Sequence, residues 1–344
     1  MSVKSFGLDI GVASIKAVSL NRQKNDFFLE SSFAIPSPLR GMLASTPSDE
    51  QEMATTLKKV VVNAKIKTKN VNIALPEDKV YTNIVQMPIL SDSELVSAIH
   101  WEAERYIPQP LSEINLVWSV LRKNQEMRIL TVGAPIAFVQ KYQRVIGMAG
   151  LKISAIETEI LSIVRALVYN KEGNLQNFPQ TLIVNIDEEH TSLAIVKEGL
   201  LTFNYFIPTG GAAISRALEA DFGLDKSESE EYKKVYGISK EGMGGKMRSA
   251  IEPILLSLLN EIKKALAFYV EKYKDSTLMQ QIVLSGGTAK LPGIELFFAD
   301  ALGIETIIAN PWQVLTNQNL PKEVLNSSSE YTIAVGLAMR DYYG

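Results

Sequence analysis

Residues 5–20 alternate apolar and polar positions on either side of Gly11. Phe6, Leu8 and Ile10 share a parity, Gly11 interrupts, and Ile15, Ala17 and Val18 resume the apolar run. That pattern predicts strand, tight turn, strand. A third strand is expected at 27–35, a loop marked by Pro36, Pro38, Gly41 and Pro47, a helix at 49–64 and a buried strand at 71–75. Residues 81–150 read as a separate module. In it Ser91 and Glu94 form a capping box ahead of a helix that stops at Pro108. Strands follow at 116–123 and 127–134, then a helix at 135–149 closed by Gly150. A helix at 159–169 leads into the loop 171–179, the expected domain boundary. Beyond it, residues 181–196 repeat strand, turn, strand: Asn185-Ile186-Asp187 followed by Thr191-Ser192-Leu193 echoes Asp9-Ile10-Gly11 followed by Ser14-Ile15-Lys16, with one extra residue in the second turn. The echo predicts two domains built alike. A helical stretch at 212–269, a strand at 281–285, a helix after Pro292, a strand at 305–309 and a terminal helix at 331–342 complete the pattern.

Composition narrows the chemistry. The 344 residues carry 35 basic and 38 acidic side chains, so no bulk charge favours nucleic acid or an anionic membrane. With no cysteine and two histidines, disulfides, thiolate zinc sites and a cysteine nucleophile are excluded. No apolar run approaches the roughly 18–20 residues of a spanning helix, and the N-terminus lacks a signal-peptide core. The expectation is a cytoplasmic protein that reaches a membrane only through a partner.

Three glycine turns are the candidate chemistry. At the first hairpin Gly11 permits backbone approach, Ser14 offers a hydroxyl, Lys16 adds charge and Asp9 could orient a magnesium-bound water. Thr209-Gly210-Gly211 precedes a helical stretch and offers an anion-binding helix N-terminus. Ser285-Gly286-Gly287-Thr288 follows an apolar strand. On the residues alone each serves equally to close a turn, and Glu230 with Lys233 reads equally as a solvated ion pair. No P-loop and no GxGxxG opens a helix.

Taken in order, these turns resemble the actin-like ATPase superfamily and, within it, the PilM family of type IV pilus assembly, with FtsA-type division proteins more distant. The residues that carry the likeness are 6–20 (FGLDIGVASIKAVSL), 75–81 (LPEDKVY), 98–111 (AIHWEAERYIPQPL), 149–157 (AGLKISAIE), 207–211 (IPTGG), 230–237 (EEYKKVYG), 282–293 (IVLSGGTAKLPG) and 302–312. The stretch WEAERYIP is the most specific. The resemblance implies an α/β actin-like fold of two duplicated, ribonuclease H-like lobes: 1–80 with 151–178, and 179–344 with a helical subdomain near 212–265. An inserted α/β module occupies 81–150. It further implies ATP and Mg between the lobes. Asp9, Gly11, Ser14 and Lys16 would serve one phosphate hairpin, and Thr191 with Gly210 and Gly211 the second. Glu230, Lys233, Gly286 and Gly287 would meet adenosine, and Glu157 would position the attacking water.

The same resemblance implies a scaffold that binds the N-terminal cytoplasmic peptide of a bitopic inner-membrane protein, PilN-like, and links it to pilus motor components. Tyr81, Ile84, Val85, Met87, Trp101, Tyr106 and Ile107 could line the peptide groove, though most of them equally suit the module's own core. Where the family has Asp-Ile-Gly, this chain has Asn185-Ile186-Asp187. Asparagine lacks the magnesium-holding carboxylate and Asp187 sets like charge against a phosphate, so at most weak ATPase activity is expected. An FtsA-like filament protein or a sugar-kinase-like phosphotransferase would share the fold. The first usually carries a C-terminal amphipathic helix, not found here, and the second needs an aspartate base that the sequence does not supply in a recognisable place.

Overall fold

The computed structural model describes residues 4–39, 41–43, 46–169, 175, 178–239, 245–274, 277–316, 320 and 322–343; most of the expected boundary loop at 171–179 lies outside the described residues. The chain divides into two compact units: Met1–Ala166 with Leu315–Asn317 and Ile333–Gly344, and Leu167–Val314 with Gln318–Thr332.

The first unit begins with β1 (Phe6–Ile10), β2 (Ser14–Gln23) and β3 (Asp26–Pro36), then α1 (Pro47–Asn63) and β4 (Asn70–Leu75). A second group follows: β5 (Tyr81–Met87), α2 (Asp92–Glu104), β6 (Ile114–Lys123) and β7 (Met127–Pro135). Then come α3 (Ile136–Met148), β8 (Lys152–Thr158) and α4 (Glu159–Leu167). The first sheet has the order β3-β2-β1-β4-β8, with β2 antiparallel to both neighbours and β4 parallel to β1 and β8. Helices α1 and α3 cover it: Met53, Leu57 and Val60 join Val139, Tyr142, Val145 and Ile146 in one core with Phe6, Leu8 and Ile73. Strands β5, β7 and β6 form a separate antiparallel sheet carrying α2, whose Leu95 and Ile99 pack on Met127 and Ile129. Helix α3, though contiguous with that group in sequence, packs in the core of the larger sheet.

The second unit holds β9 (Thr181–Ile186), β10 (Thr191–Lys197), β11 (Leu200–Ile207), α5 (Gly211–Phe222), α6 (Lys226–Tyr236), α7 (Lys246–Tyr273) and β12 (Gln281–Ser285). It ends with α8 (Ile294–Leu302), β13 (Thr306–Ile308) and α9 (Lys322–Asn326), and α10 (Thr332–Met339) starts from it. Its sheet has the order β11-β10-β9-β12-β13, with the same strand senses as the first. The duplication read from the two hairpins therefore extends to whole five-stranded sheets.

Strands β8 and β11, which lie at opposite edges of their respective sheets, were not read from the sequence. Strand β8 is an edge strand with a bulge opposite Val71 and Asn72, which breaks its alternation. The hairpin registers correct a second point. Asp9 pairs with Lys16 and Ile10 with Ile15; Asn185 pairs with Ser192 and Ile186 with Thr191. The two turns have equal length, so His190 occupies the place of Ser14 and Ser192 that of Lys16.

Candidate functional site

The first hairpin assembles as expected. Asp9 and Lys16 face each other across β1 and β2, both buried, with Nζ 3.7 Å from the carboxylate. Above them Gly11 closes the turn through its N–H to Ser14 O at 3.2 Å, and Ser37 Oγ donates to Gly11 O at 2.6 Å. A buried lysine with three N–H donors and one carboxylate partner at 3.7 Å keeps donor capacity toward an anion at the turn.

Glu157, expected to position water, is held by two arginines. Its carboxylate is bidentate to Arg165, at 2.5 and 2.7 Å, and takes a further hydrogen bond from Arg340 Nε at 3.1 Å. Arg165 also donates to Gly336 O. Both oxygens are thereby engaged in a clamp between β8, α4 and the C-terminal segment, which ties the carboxylate to a structural role. A second buried carboxylate, not singled out from the sequence, is Glu159 at the first turn of α4. It accepts the Glu77 N–H at 3.2 Å, while Glu77 Oε1 accepts the Ile160 N–H at 3.0 Å. Burial pushes the Tyr142 phenol well up, and the negative charges of Glu159, Asp78 and Asp9 add to that shift. Asp9 and Glu159 thus act on the same buried phenol. The sequence signal for this arrangement lay in LPEDKVY, whose Glu77 fixes both ends of the contact.

In the second unit the structure corrects three roles. Thr191 is fully buried and its Oγ1 donates to Thr209 O at 2.7 Å, so it has no donor for a ligand. Gly211 N–H donates to Asp187 O at 2.7 Å and Ala212 N–H to Glu188 O at 2.8 Å. The helix N-terminus at Gly210 and Gly211 is consumed by the hairpin it packs on. A Cβ on Gly210 would lie 2.5 Å from Asp187 O, so the glycines are needed for that closeness. Asp187 itself is drawn inward by the Asn185 amide at 2.5 Å.

The α5–α6 surface carries the remaining candidates. Capped by Asp225 and Glu228, α6 places Glu230 and Lys233 one turn apart, facing Ser215 of α5. Lys233 Nζ donates to Glu230 Oε1 at 2.6 Å and Ser215 Oγ at 2.9 Å, with Gly211 O at 3.5 Å. Ser215 Oγ also donates to Glu230 Oε1. Burial raises the Glu230 carboxyl, but the Lys233 and Ser215 hydrogen bonds outweigh it and leave the group below its ordinary value. Nearby Glu188 is raised, chiefly by burial, with Lys233 opposing. After β12, Gly286 turns with φ +86° under Ile186 O, and Gly287 faces open space.

In the small sheet the expected groove residues separate. Ile84, Val85 and Ile107 are buried. Ile84 pairs with Leu130, on the sheet face opposite the one that Asn83 and Thr131 share. Ile84 therefore cannot line a groove with the α2 aromatics. Tyr81 and Tyr106 are half-buried around Ala103, Ile107 and Ile114, and Tyr106 Oη lies 2.7 Å from Thr131 Oγ1. Trp101 is 74% exposed, the largest apolar surface on α2.

Residues 7–342 match the family described as type IV pilus assembly protein PilM. The chain belongs to that family. Its fold is the actin-like one. A chain of a solved PilM–PilN type IV pilus biogenesis complex superposes with a TM-score of 0.85 at 24% identity over 99% of each chain. The ethanolamine utilization protein EutJ of Carboxydothermus hydrogenoformans gives 0.60 at 15% identity over 97% of this chain and 89% of that one. MreB5 of Spiroplasma citri, bound to AMPPNP, gives 0.55 at 13% identity over 100% and 97%. Among curated proteins, Escherichia coli K12 EutJ is 27% identical over 154 residues, 44% of this chain and 47% of that protein. The chain spans about half the length of the curated relatives it matches. Among the described residues no helix is long and apolar enough to cross a membrane.

For a PilM-family chain the implied group is a magnesium nucleotide, and the residues fit it unevenly. The first hairpin fits: a buried lysine, a hard carboxylate and a glycine turn suit phosphate and magnesium. For a nucleoside, the α5–α6 surface offers the partly exposed Glu230 carboxylate, and Gly287 offers open space. The second hairpin does not fit a phosphate, because its helix amides are spent and Asp187 brings like charge.

Proposed function

We propose that this chain is a nucleotide-binding scaffold of type IV pilus assembly. In this reading it takes the N-terminal cytoplasmic peptide of a PilN-like bitopic protein, sits at the inner membrane through that partner and links it to motor components. The family match over residues 7–342 carries the reading. The proposed cofactor is ATP with Mg. Asp9 would hold the metal through water, Lys16 and the turn from Gly11 to Ser14 would take phosphate, and Glu230 and Gly287 would meet the nucleoside. Magnesium, when bound, offsets phosphate charge that Lys16 alone cannot. Glu159, a buried carboxylate whose charge acts with that of Asp9 on Tyr142, would take the water-positioning role expected of Glu157. The committed amides at the start of α5 leave the second hairpin without phosphate donors, which speaks against fast hydrolysis. Trp101, with the partly exposed rings of Tyr81 and Tyr106, supports the α2 side of the small sheet as the peptide surface.

The test is calorimetric titration with ATP and Mg, and separately with a synthetic N-terminal PilN-type peptide. Binding of both is expected. Lys16→Ala should abolish the nucleotide signal while leaving the peptide signal, and Trp101→Ala should do the reverse. A protein that binds peptide but no nucleotide is a pure adaptor; one that binds nucleotide but no peptide loses the partner assignment.

A further inference from the structure

Lys233 has three N–H donors and three oxygen neighbours: Glu230 Oε1, Ser215 Oγ and Gly211 O. It is buried and has no donor left for a ligand. The Ser215 hydroxyl, itself buried, accepts from Lys233 and has two acceptors for its one proton, of which the same Glu230 oxygen is nearer than Gly211 O at 3.3 Å. Glu230 Oε1 is therefore held twice, while Oε2 makes no hydrogen bond among the described residues. The Glu230 side chain is 26% exposed. A carboxylate with one oxygen pinned from two sides and the other turned outward is aimed at a hydrogen-bond donor.

We propose that Ser215 is a positioning residue that, with Lys233, aims Glu230 Oε2 at a donor group of the bound nucleoside, either a sugar hydroxyl or the base amino group. Lys233 is thereby moved from ligand contact to support. This rests on the nucleotide-binding reading above, in which Glu230 meets the nucleoside, and adds the residue that positions it. Without Ser215, the carboxylate would keep one holder and rotate about its last torsion, which is broad for a terminal carboxylate. Charge-assisted hydrogen bonds are geometry-sensitive, so loss of aim should appear as loss of discrimination.

The experiment compares ATP, 2′-deoxy-ATP, 3′-deoxy-ATP, ITP and inorganic tripolyphosphate by calorimetric titration on the full chain, wild type against Ser215→Ala, Glu230→Gln and the pair. ITP lacks the base amino group and the deoxy analogues each lack one sugar hydroxyl, so the weakened analogue identifies the donor. Wild type should favour ATP over that analogue by about tenfold or more, the scale of a hydrogen bond to a charged group. Ser215→Ala should reduce the preference to about twofold and leave tripolyphosphate binding unchanged. The double variant should lose no more than Glu230→Gln alone. An independent readout needs no ligand: the Glu230 carboxyl, followed by carbon-13 NMR, should titrate higher in Ser215→Ala, because one donor to its charged form is gone. Equal analogue preference in wild type and Ser215→Ala overturns the proposal, as does an unmoved Glu230 titration. A wild type that binds tripolyphosphate but no nucleoside preferentially removes Glu230 as the reader. A wild type that binds none of the five removes the nucleotide reading itself, with the Glu230 titration still deciding the role of Ser215.

Discussion

Two glutamates two positions apart, Glu157 and Glu159, have opposite fates. Glu157, one residue before the end of β8, has both oxygens on arginines; Glu159 opens α4 beside Glu77. Arg165→Ala leaves a buried carboxylate with only Arg340, and breaking such a pair costs on the order of 3 kcal/mol. Thermal denaturation should show that loss. Glu157→Gln should likewise lower the melting temperature while leaving nucleotide affinity unchanged, whereas Glu159→Gln should weaken magnesium dependence and spare stability. The reverse pattern would restore Glu157 to the site. The α5–α6 carboxylates supply a pH signature. Glu230 is depressed, so its contribution to stability is full above the unfolded value near 4.5 and is lost as pH falls through the folded value. Glu188 is raised, so folding favours its protonated form and stability is lost as pH climbs from about 4.5 through its folded value. Glu188→Gln should therefore raise the melting temperature at pH 7 and flatten the decline above pH 4.5. An unchanged profile would mean that Glu188 carries no burial penalty.

At the scale of elements, the second-unit glycine turn separates structural from ligand-facing roles within two adjacent residues. Gly286 needs its positive φ and has Ile186 O where a Cβ would sit, so Gly286→Ala should destabilise by roughly 2–4 kcal/mol. Gly287→Ala meets nothing and should leave stability intact while obstructing nucleoside approach. Chemical denaturation and nucleotide titration on the two variants check this, and equal destabilisation would reject the division of labour. The hairpins themselves were legible, because a half-buried strand writes its period of two into the sequence and glycine marks the turn. Their mutual alignment was not. Matching Ser14 to Thr191 by residue type gave a false extra residue, and only the Ile10–Ile15 and Ile186–Thr191 pairings set the register. The arginine clamp on Glu157 was hidden for a related reason: type and approximate place do not fix which way a side chain leaves a strand. Ser215 carried no signal at all, since its meaning arises from the packing of α5 on α6. The spent amides at Gly211 and Ala212 were equally invisible, because their acceptors come from a different hairpin.

At the scale of the whole molecule, the order of the chain makes the two units unequal as folding bodies. The second unit is nearly continuous from Leu167, with all five strands of its sheet between Thr181 and Ile308. The first is completed only by the last residues. Asp341 accepts the Ser5 N–H at 2.7 Å and an Asn72 amide bond at 2.9 Å, binding β1 and β4 together at one end. Tyr342 donates to Leu20 O at 2.8 Å and meets the Phe27 ring edge-on at 5.3 Å, while Arg22 donates to Tyr342 O at 2.7 Å. Arg340 completes the Glu157 clamp. A fragment of residues 1–166 would leave Glu157 with one arginine and strip the contacts from β1, β2 and β4. That fragment should remain molten, with secondary structure but poor dispersion in amide NMR spectra. A fragment of 178–332 keeps its own sheet and helices α5–α8, and should give a dispersed spectrum and a cooperative melt. It should also keep the Glu230–Ser215–Lys233 network and bind nucleoside weakly without the first hairpin. Cooperative folding of 1–166 alone would show that the C-terminal residues decorate the first unit without completing it.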